Sequence, residues 1–581
     1  MAGEKPLGAD WLSRHWKLGL LLAWLAFAIL ALILRYPAIQ DLGLGDTDDN
    51  LRLAQLRALL AGQNWFDLTQ YRLAPPEGAD IHWSRLPELP IAALILLLRP
   101  LFGAVAGEQW AVALAPLIPL AIGWWAIALT ARRLVDPAAW PLALLVTLCA
   151  VFLMPMWMPL RIDHHGWQLA LLAVAVAGLA DPRPLRGGVT SGIAGALSLA
   201  IGLEMLAFLA LIGAATVFFW VADGAERRRI AGYGASLAGV GALAFLGFAS
   251  NANRSPVCDA FSPVWLSAVA AAGGVLVLLA LFDIERRPVR LALAALAGAI
   301  LAAGFALAWP DCLGRLEGVS PELQAIWLDH VGEARPITRT PWRRALLMAA
   351  LPVSGLIGYV LALRTRPSLP WLAMAVMALT GFAMLFWQVR LAPAAQLLAI
   401  PGACLLGWRL IPPGRRSPRL LVRVFGTVGV LVFVTGIHAA FVILGFPAQS
   451  AAAETVADDC KSRAALARLD ALPASTFLTQ LDMAPRLIVT THHAALAGPY
   501  HRNGAAMLDT LHAFRGRPDA ARAIVERRGI DYVLLCPALS GAHVYIGDQE
   551  GGLYETLVAG RAPGWLEPVP LGEESGLRVW R

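Results

Sequence analysis

Three carboxylates fall within four positions in Gly45-Asp46-Thr47-Asp48-Asp49-Asn50-Leu51-Arg52. Like charges this close repel and need a counter-charge, which a divalent cation, a cationic substrate or solvent could supply. A second group is Arg161-Ile162-Asp163-His164-His165-Gly166-Trp167-Gln168. An aspartate beside histidines offers oxygen and nitrogen donors that suit Mg2+ or Mn2+. The same residues equally suit a helix N-cap by Asp163 with interfacial histidines. Glu333, in His330-Val331-Gly332-Glu333-Ala334-Arg335-Pro336, reads either as a ligand or base in a loop that closes over substrate, or as a solvated loop residue. Arg390, in Val389-Arg390-Leu391, ends an apolar run. A guanidinium there either snorkels to headgroups or holds an anion, and its rigid fork matches phosphate. Glu204 interrupts one apolar stretch and marks an outer hairpin, with only a weak case for a polar site. Thr491-His492-His493 and Pro499-Tyr500-His501-Arg502-Asn503 crowd polar groups into a loop that reads as following a strand. No zinc spacing supports a metal there, so a hydrogen-bonded loop is the better account.

These residues need elements to hold them, and composition says what kind. The chain has 581 residues, 58% apolar and 15% charged, with mean hydropathy +0.62. Soluble domains carry about 25% charge, so this is a polytopic α-helical membrane protein. The net charge of +7 comes from short Arg-rich loops; it reports topology and argues against nucleic-acid partners. The first apolar run, Trp16 to Tyr36, is long and lacks a small-residue cleavage site, so it is expected to stay as an anchor.

Apolar runs at 16–36, 109–131, 138–158, 166–180, 188–203, 205–222, 231–249, 264–282, 291–309, 345–362, 371–388, 393–410 and 424–446 predict thirteen spans. The run 89–106 is broken by Arg99-Pro100. If it does not cross, Lys5, Arg14, Lys17, Arg132-Arg133, Arg227 to Arg229, Arg364 and Arg415-Arg416 all face the cytoplasm. It therefore reads as a juxtamembrane or re-entrant helix. The outer face then receives the 37–108 loop, the loop around Asp163, the 310–344 loop and the segment 447–581. The division is 1–446 for the membrane part and 447–581 for an external domain. That domain shows strand-like runs (Leu487 to Thr491, Tyr532 to Cys536) and helix-like runs (Ala505 to Phe514, Asp519 to Arg528), hence a small α/β fold. Cys258, Cys312, Cys460 and Cys536 lie on the outer face, where two disulfides or four free thiols are open alternatives. Cys149 and Cys404 fall inside spans.

Taken together, the motifs resemble the catalytic subunits of oligosaccharyltransferases, within the GT-C membrane glycosyltransferases. Asp46-x-x-x-Asn50-x-Arg52 and Asn64-Trp65-Phe66-Asp67 are similar to that family's first-loop motifs. Asp163-His164-His165 resembles the Asp-His-His of archaeal members, and Val331-Gly332-Glu333-Ala334-Arg335-Pro336 looks like the family's Ser-Val-Ser-Glu-His-Gln-Pro loop. Val389-Arg390-Leu391, with Pro401 and Cys404 after it, looks like the family's Val-Arg-Leu span, and Asp531-Tyr532-Val533-Leu534 like a late strand. The family's acceptor-reading Trp-Trp-Asp is absent; Gln480-Leu481-Asp482-Met483 stands in its place and keeps only the aspartate.

The resemblance implies a GT-C-like membrane domain with an external C-terminal α/β domain, in a bacterial inner membrane, facing the periplasm. It implies transfer of a sugar or oligosaccharide from polyprenyl phosphate or diphosphate. The acceptor is a glycan, a lipid or a protein, with membrane lipids as surroundings. Asp46 and Glu333 would be catalytic; Asp46, Asp163, His165 and Glu333 would hold Mg2+ or Mn2+. Arg390 would bind donor phosphate, and Asp482 and His501 would face the acceptor. A transferase of polyprenyl-phosphate monosaccharides, acting on lipid A or a surface polysaccharide, is the enzymatic alternative. A transporter of lipid-linked sugars is the alternative of another class, although polar residues gathered on one face, without repeated halves, argue against it.

Overall fold

The computed structural model describes residues 9–314, 318–415, 417–446, 460–539, 541–547, 550–571 and 576–581. Lys5, Arg416 and the division placed at 446/447 lie outside the described residues.

Apolar composition without charge drives these segments into helices, because a backbone in lipid must bond to itself. Among the described residues, seven helices are long and apolar enough to cross a membrane, or eight if one bent pair counts as a span. Three shorter apolar helices, His165–Leu179, Leu206–Ala222 and Leu369–Met384, join them. The chain is thus a multi-pass helical protein, but the expected thirteen spans are not all full helices. The 138–158 run forms only the nine-residue helix Trp140–Leu148 and then a turn and a 3-10 helix, Met154–Trp157. Pro155 and Pro159 remove backbone donors there. The last run splits into Leu420–Val434 and His438–Leu444, bent by 92°.

The 89–106 run belongs to the helical segment Glu88–Leu114, which breaks at Gly103 (φ 81°, ψ 171°). Only glycine adopts that backbone without strain. Beyond the break the chain doubles back, so that a Cβ on Gly107 would lie 2.9 Å from the backbone nitrogen of Arg99. In the bundle, Trp342–Thr365 and Ala392–Arg415 pack through Gly355, Gly358 and Gly402, where a Cβ would meet the facing backbone directly; small residues let membrane helices approach this closely.

The first outer loop carries helix Thr47–Leu60 and a two-residue antiparallel pair, β1 (Thr69–Gln70) with β2 (Ala79–Asp80). The C-terminal segment holds a five-stranded mixed sheet. Its strands are β3 (Thr476–Thr479), β4 (Ala494–Ala495), β5 (Tyr532–Leu535), β6 (Pro568–Val569) and β7 (Arg578–Trp580), in the order β4-β3-β5-β7-β6. β3 runs parallel to β4 and β5; β7 is antiparallel to β5 and β6. Helices Gly504–Arg515 and Pro518–Arg527 match the expected helical runs. The expected strand Leu487 to Thr491 is instead the end of helix Ala484–Thr490. Pro485 starts that helix, and burial against the first-loop helix outweighs the β preference of Ile488, Val489 and Thr490. The strand of this unit is β3, so the His492-His493 loop follows a helix. Disulfides join Cys258 to Cys312 and Cys460 to Cys536; Cys149 and Cys404 are free.

The sheet's β4 edge is covered by the first loop. Ala495 N donates to Arg72 O at 2.9 Å and Ala74 N to Ala495 O at 2.9 Å. Leu51, Leu56, Trp83, Phe477, Leu487 and Tyr532 belong to one continuous apolar core. The first loop and the C-terminal sheet are therefore packed as a single unit.

Candidate active site

Helix Thr47–Leu60 starts at Asp46, whose extended backbone and side chain cap it; Oδ1 accepts from Asp48 N at 3.3 Å. Capping satisfies a free N–H, and the positive end of the helix favours the carboxylates placed there. Asn50 Nδ2 donates to Asp46 O at 2.7 Å and so fixes the cap. Arg52 is buried over the Trp83 ring, 4.6 Å from its centroid, and lies 3.6 Å from Glu88. Asn50 and Arg52 thus build the scaffold under Asp46.

The second motif closes on the first. Arg161 Nη1 lies 2.5 Å from Asp46 Oδ2 and 3.0 Å from Asp49 Oδ2, and its Nη2 lies 3.6 Å from Asp163 Oδ2. Asp163 N donates to Asp49 Oδ1 at 2.8 Å. Asp163 pairs with both following histidines: Oδ1 is 2.6 Å from His164 Nδ1, and Oδ2 takes His165 Nδ1. His164 Nε2 reaches Glu204 Oε1 at 2.9 Å, and Gln168 donates to the other Glu204 oxygen. The His164 ring thus lies between two carboxylates, with Arg52 Nη2 3.2 Å from its Nδ1. The His165 side chain is 27% exposed, against 3% for His164.

The charges act on one another. Burial alone would lower the His164 pKa, but Asp163 and Glu204 overcome it and push it up to about 10. Burial would raise Asp163; the two histidines instead hold it well below the usual carboxylate range. Burial pushes Asp49 up to about 7, with Asp46 and Asp163 adding to it and Arg161 opposing. Burial, then Asp163 and Asp46, pushes Asp48 up as well. Acidic and basic groups thus alternate through the cluster, each setting the charge of the next.

A cleft of about 600 Å³ opens beside this cluster. Asp46, His165, Glu333, Arg390, Asp482 and His501 all line it, and Asp163 lies just behind His165, 2% exposed. The seven residues singled out in sequence are therefore brought to one place. They do not form one cluster. Glu333 sits in the exposed 3-10 turn Gly332–Ala334, and its Oε1 is 3.9 Å from Arg390 Nη2 rather than on the Asp163 group. Arg390 Nε is buried without a hydrogen-bond partner among the described residues. His501 Nε2 bonds Asp259 Oδ2 at 2.8 Å, and Arg502 grips the same carboxylate with Nε at 2.8 Å and Nη2 at 2.6 Å. Gln480 is spent on structure: it bonds both the N–H and the carbonyl of Cys536. Leu481 and Asp482 of that stretch line the cleft.

Three residues were undervalued in sequence: Arg161, Asp49 and Glu204. Arg161 stands two positions before Asp163, and a lone arginine there is the signal that the carboxylates share an internal counter-charge. Carboxylate oxygens beside an imidazole are donors of the kind a divalent cation takes. Asp163, His164 and His165 already place one ligand atom each within 4.8 Å of the others.

No family model and no curated protein matches this sequence. Solved structures do. The apo oligosaccharyltransferase of Archaeoglobus fulgidus aligns over 96% of this chain and 72% of its own, at 16% identity and a TM-score of 0.67. The fold is GT-C, of the oligosaccharyltransferase type. The archaeal oligosaccharyltransferase AglB from Archaeoglobus fulgidus, with an inhibitory peptide and a dolichol-phosphate, aligns over 91% of this chain and 70% of that one, at 14% identity and a TM-score of 0.64. An Archaeoglobus fulgidus oligosaccharyltransferase complex with Zn and sulfate aligns over 85% of this chain and 64% of that one, at 15% identity and a TM-score of 0.57. In this GT-C chain the acidic cluster and cleft sit where the first loop, the bundle and the C-terminal sheet meet.

Proposed function

We propose that the protein is a metal-assisted membrane glycosyltransferase. It moves a sugar or oligosaccharide from a polyprenyl phosphate or diphosphate to an acceptor at the external, periplasmic face of a bacterial inner membrane. The observation that carries this reading is the single cleft lined by Asp46, His165, Glu333 and an arginine with an unpartnered donor.

In the reaction the bond from the anomeric carbon to the phosphate oxygen breaks, and a bond to the acceptor heteroatom forms. The acceptor's proton passes to a carboxylate; Asp46, and Glu333 from the loop, are assigned to that side. The phosphate leaves with the bonding pair, and Arg390 meets the charge that develops on it. Mg2+ or Mn2+, held by Asp46, Asp163 and His165 with Glu333 as the loop's contribution, would add Lewis-acid neutralisation of that charge. Arg161 orients the Asp46 and Asp163 carboxylates. His164, held between Asp163 and Glu204, keeps the His165 side of the motif in register.

A second reading concerns the acceptor. Gln480 is locked onto Cys536, so no tryptophan pair stands where an acceptor Ser or Thr would be read. This favours a glycan or lipid acceptor, as in transfer of one polyprenyl-phosphate sugar to lipid A or a polysaccharide. The test is transfer from a panel of labelled lipid-linked sugars in proteoliposomes, with and without EDTA, for wild type and Asp46→Ala. Metal-dependent transfer that Asp46→Ala abolishes supports the proposal, and the labelled product names the acceptor. Label that crosses the bilayer unchanged, whatever the residue at 46, overturns it in favour of transport.

A further inference from the structure

The outer face of the C-terminal unit carries a second set of donors that the cleft does not use. Asp470 lies in the 3-10 turn Arg468–Ala471. His492 and His493 lie between helix Ala484–Thr490 and β4. One ligand atom from each of the three falls within 4.8 Å of the others. None of them lines the cleft.

The hydrogen bonds set the two rings. His493 Nε2 lies 2.8 Å from Leu469 O, and His492 Nε2 lies 3.1 Å from Leu472 O. A carbonyl oxygen only accepts, so each ring carries a proton on Nε2 and donates it there. In the neutral rings both Nδ1 atoms then present lone pairs. His492 Nδ1 sits 3.2 Å from Asp470 Oδ1. A lone pair facing a carboxylate at that distance requires a cation between them or a second proton on the ring. His493 is 0% exposed, and its Nδ1 has no hydrogen-bond partner among the described residues. Leaving such an atom unpaired costs about 1–3 kcal/mol. A backbone carbonyl on the far ring nitrogen is also how metal-ligating histidines are commonly oriented.

We propose that Asp470, His492 and His493 form a divalent transition-metal site of the Zn2+ class. Two imidazole nitrogens and one carboxylate oxygen leave a position for solvent. Two nitrogens select such a metal over Mg2+ or Ca2+, which prefer oxygen. The site braces a docking segment. Arg72 of the first loop donates from Nε to His493 O at 3.1 Å, and Arg72 and Ala74 pair with Ala495 just beyond. The metal would tie the Arg468–Ala471 turn to the segment on which the first loop rests.

The test uses the full chain in detergent, wild type, Asp470→Asn and His492→Ala, stripped of metal and titrated with ZnCl2 alone. Asp470 and His492 are both about half exposed, so the substitutions leave the core untouched. Zinc per chain is counted by mass spectrometry after gel filtration. Wild type should hold one more Zn2+ than either variant, with affinity for that ion falling more than about tenfold in each. Zinc content and affinity equal in all three proteins would overturn the proposal.

Discussion

Removing Arg161 is the perturbation whose consequences the structure fixes most closely. Its guanidinium touches Asp46, Asp49 and Asp163 at 2.5, 3.0 and 3.6 Å. Asp46 is 39% exposed, so water screens that pair and it contributes about 1 kcal/mol or less. Asp49 and Asp163 are 1% and 0% exposed. At about 3 Å and an effective dielectric of about 20, each such pair is worth about 5 kcal/mol before desolvation is counted. Desolvation offsets most of that, but taking away one partner leaves the carboxylates buried and uncompensated, which costs about 3–5 kcal/mol. Arg161→Met keeps the volume and removes the charge. In EDTA its thermal midpoint should fall steeply. Added Mn2+ should recover more stability in the variant than in wild type, because the oxygens Arg161 occupied are freed for the ion. Saturation at about 100 times the dissociation constant would return about 2.7 kcal/mol. Thermal unfolding in nanodiscs with a Mn2+ titration measures both numbers. A midpoint unchanged in EDTA, or a fall that Mn2+ does not reverse, would refute the view that guanidinium and metal serve the same carboxylates.

Arg390→Gln should lower kcat/KM for the lipid-linked donor by about 10²–10³-fold, as losing one electrostatic donor at a developing anion does, and Arg390→Lys should recover part of it; unchanged kinetics would mean the side chain only snorkels. Asp259 tests pH linkage. Burial would raise its pKa, but Arg502 and His501 hold it below the ordinary value. A depressed folded pKa stabilises fully above the unfolded value of about 4, and that stability is lost as pH falls from there toward the folded value. The midpoint should therefore be insensitive to this group from pH 8 to 5 and fall below about 4, and Asp259→Asn should flatten that acid limb while lowering the plateau. Replacing Cys460 and Cys536 by serine opens a link between residues 76 apart and should cost about 4 kcal/mol, read as a lower midpoint for the variant under non-reducing conditions and no difference from wild type once both are reduced.

Much of this was legible in the chain. Runs such as Trp16 to Tyr36 have no fold available but a membrane helix, and the order of the Asp46, Asp163, Glu333 and Arg390 motifs carried the GT-C reading. Local signals failed where long-range contacts decided. Ile488-Val489-Thr490 reads as a strand until the first-loop helix packs on it. The 138–158 run has the right hydropathy for a span, but its helix stops at Leu148. Arg161 stood beside Asp163 in the sequence, yet its partners Asp46 and Asp49 lie more than a hundred positions away. Asp470 and His492 are 22 positions apart, a spacing no zinc motif would flag.

The core that Leu51 and Trp83 share with Phe477 and Tyr532 has a consequence for biogenesis. The first loop is complete when barely a fifth of the chain has been made, and its packing partner in the sheet is translated last. Until then Leu51, Leu56 and Trp83 lack the part of their core that Phe477, Leu487 and Tyr532 supply. A chain cut short in its last hundred residues would lack the wall of the cleft that Asp482, Tyr500, His501 and Tyr545 supply.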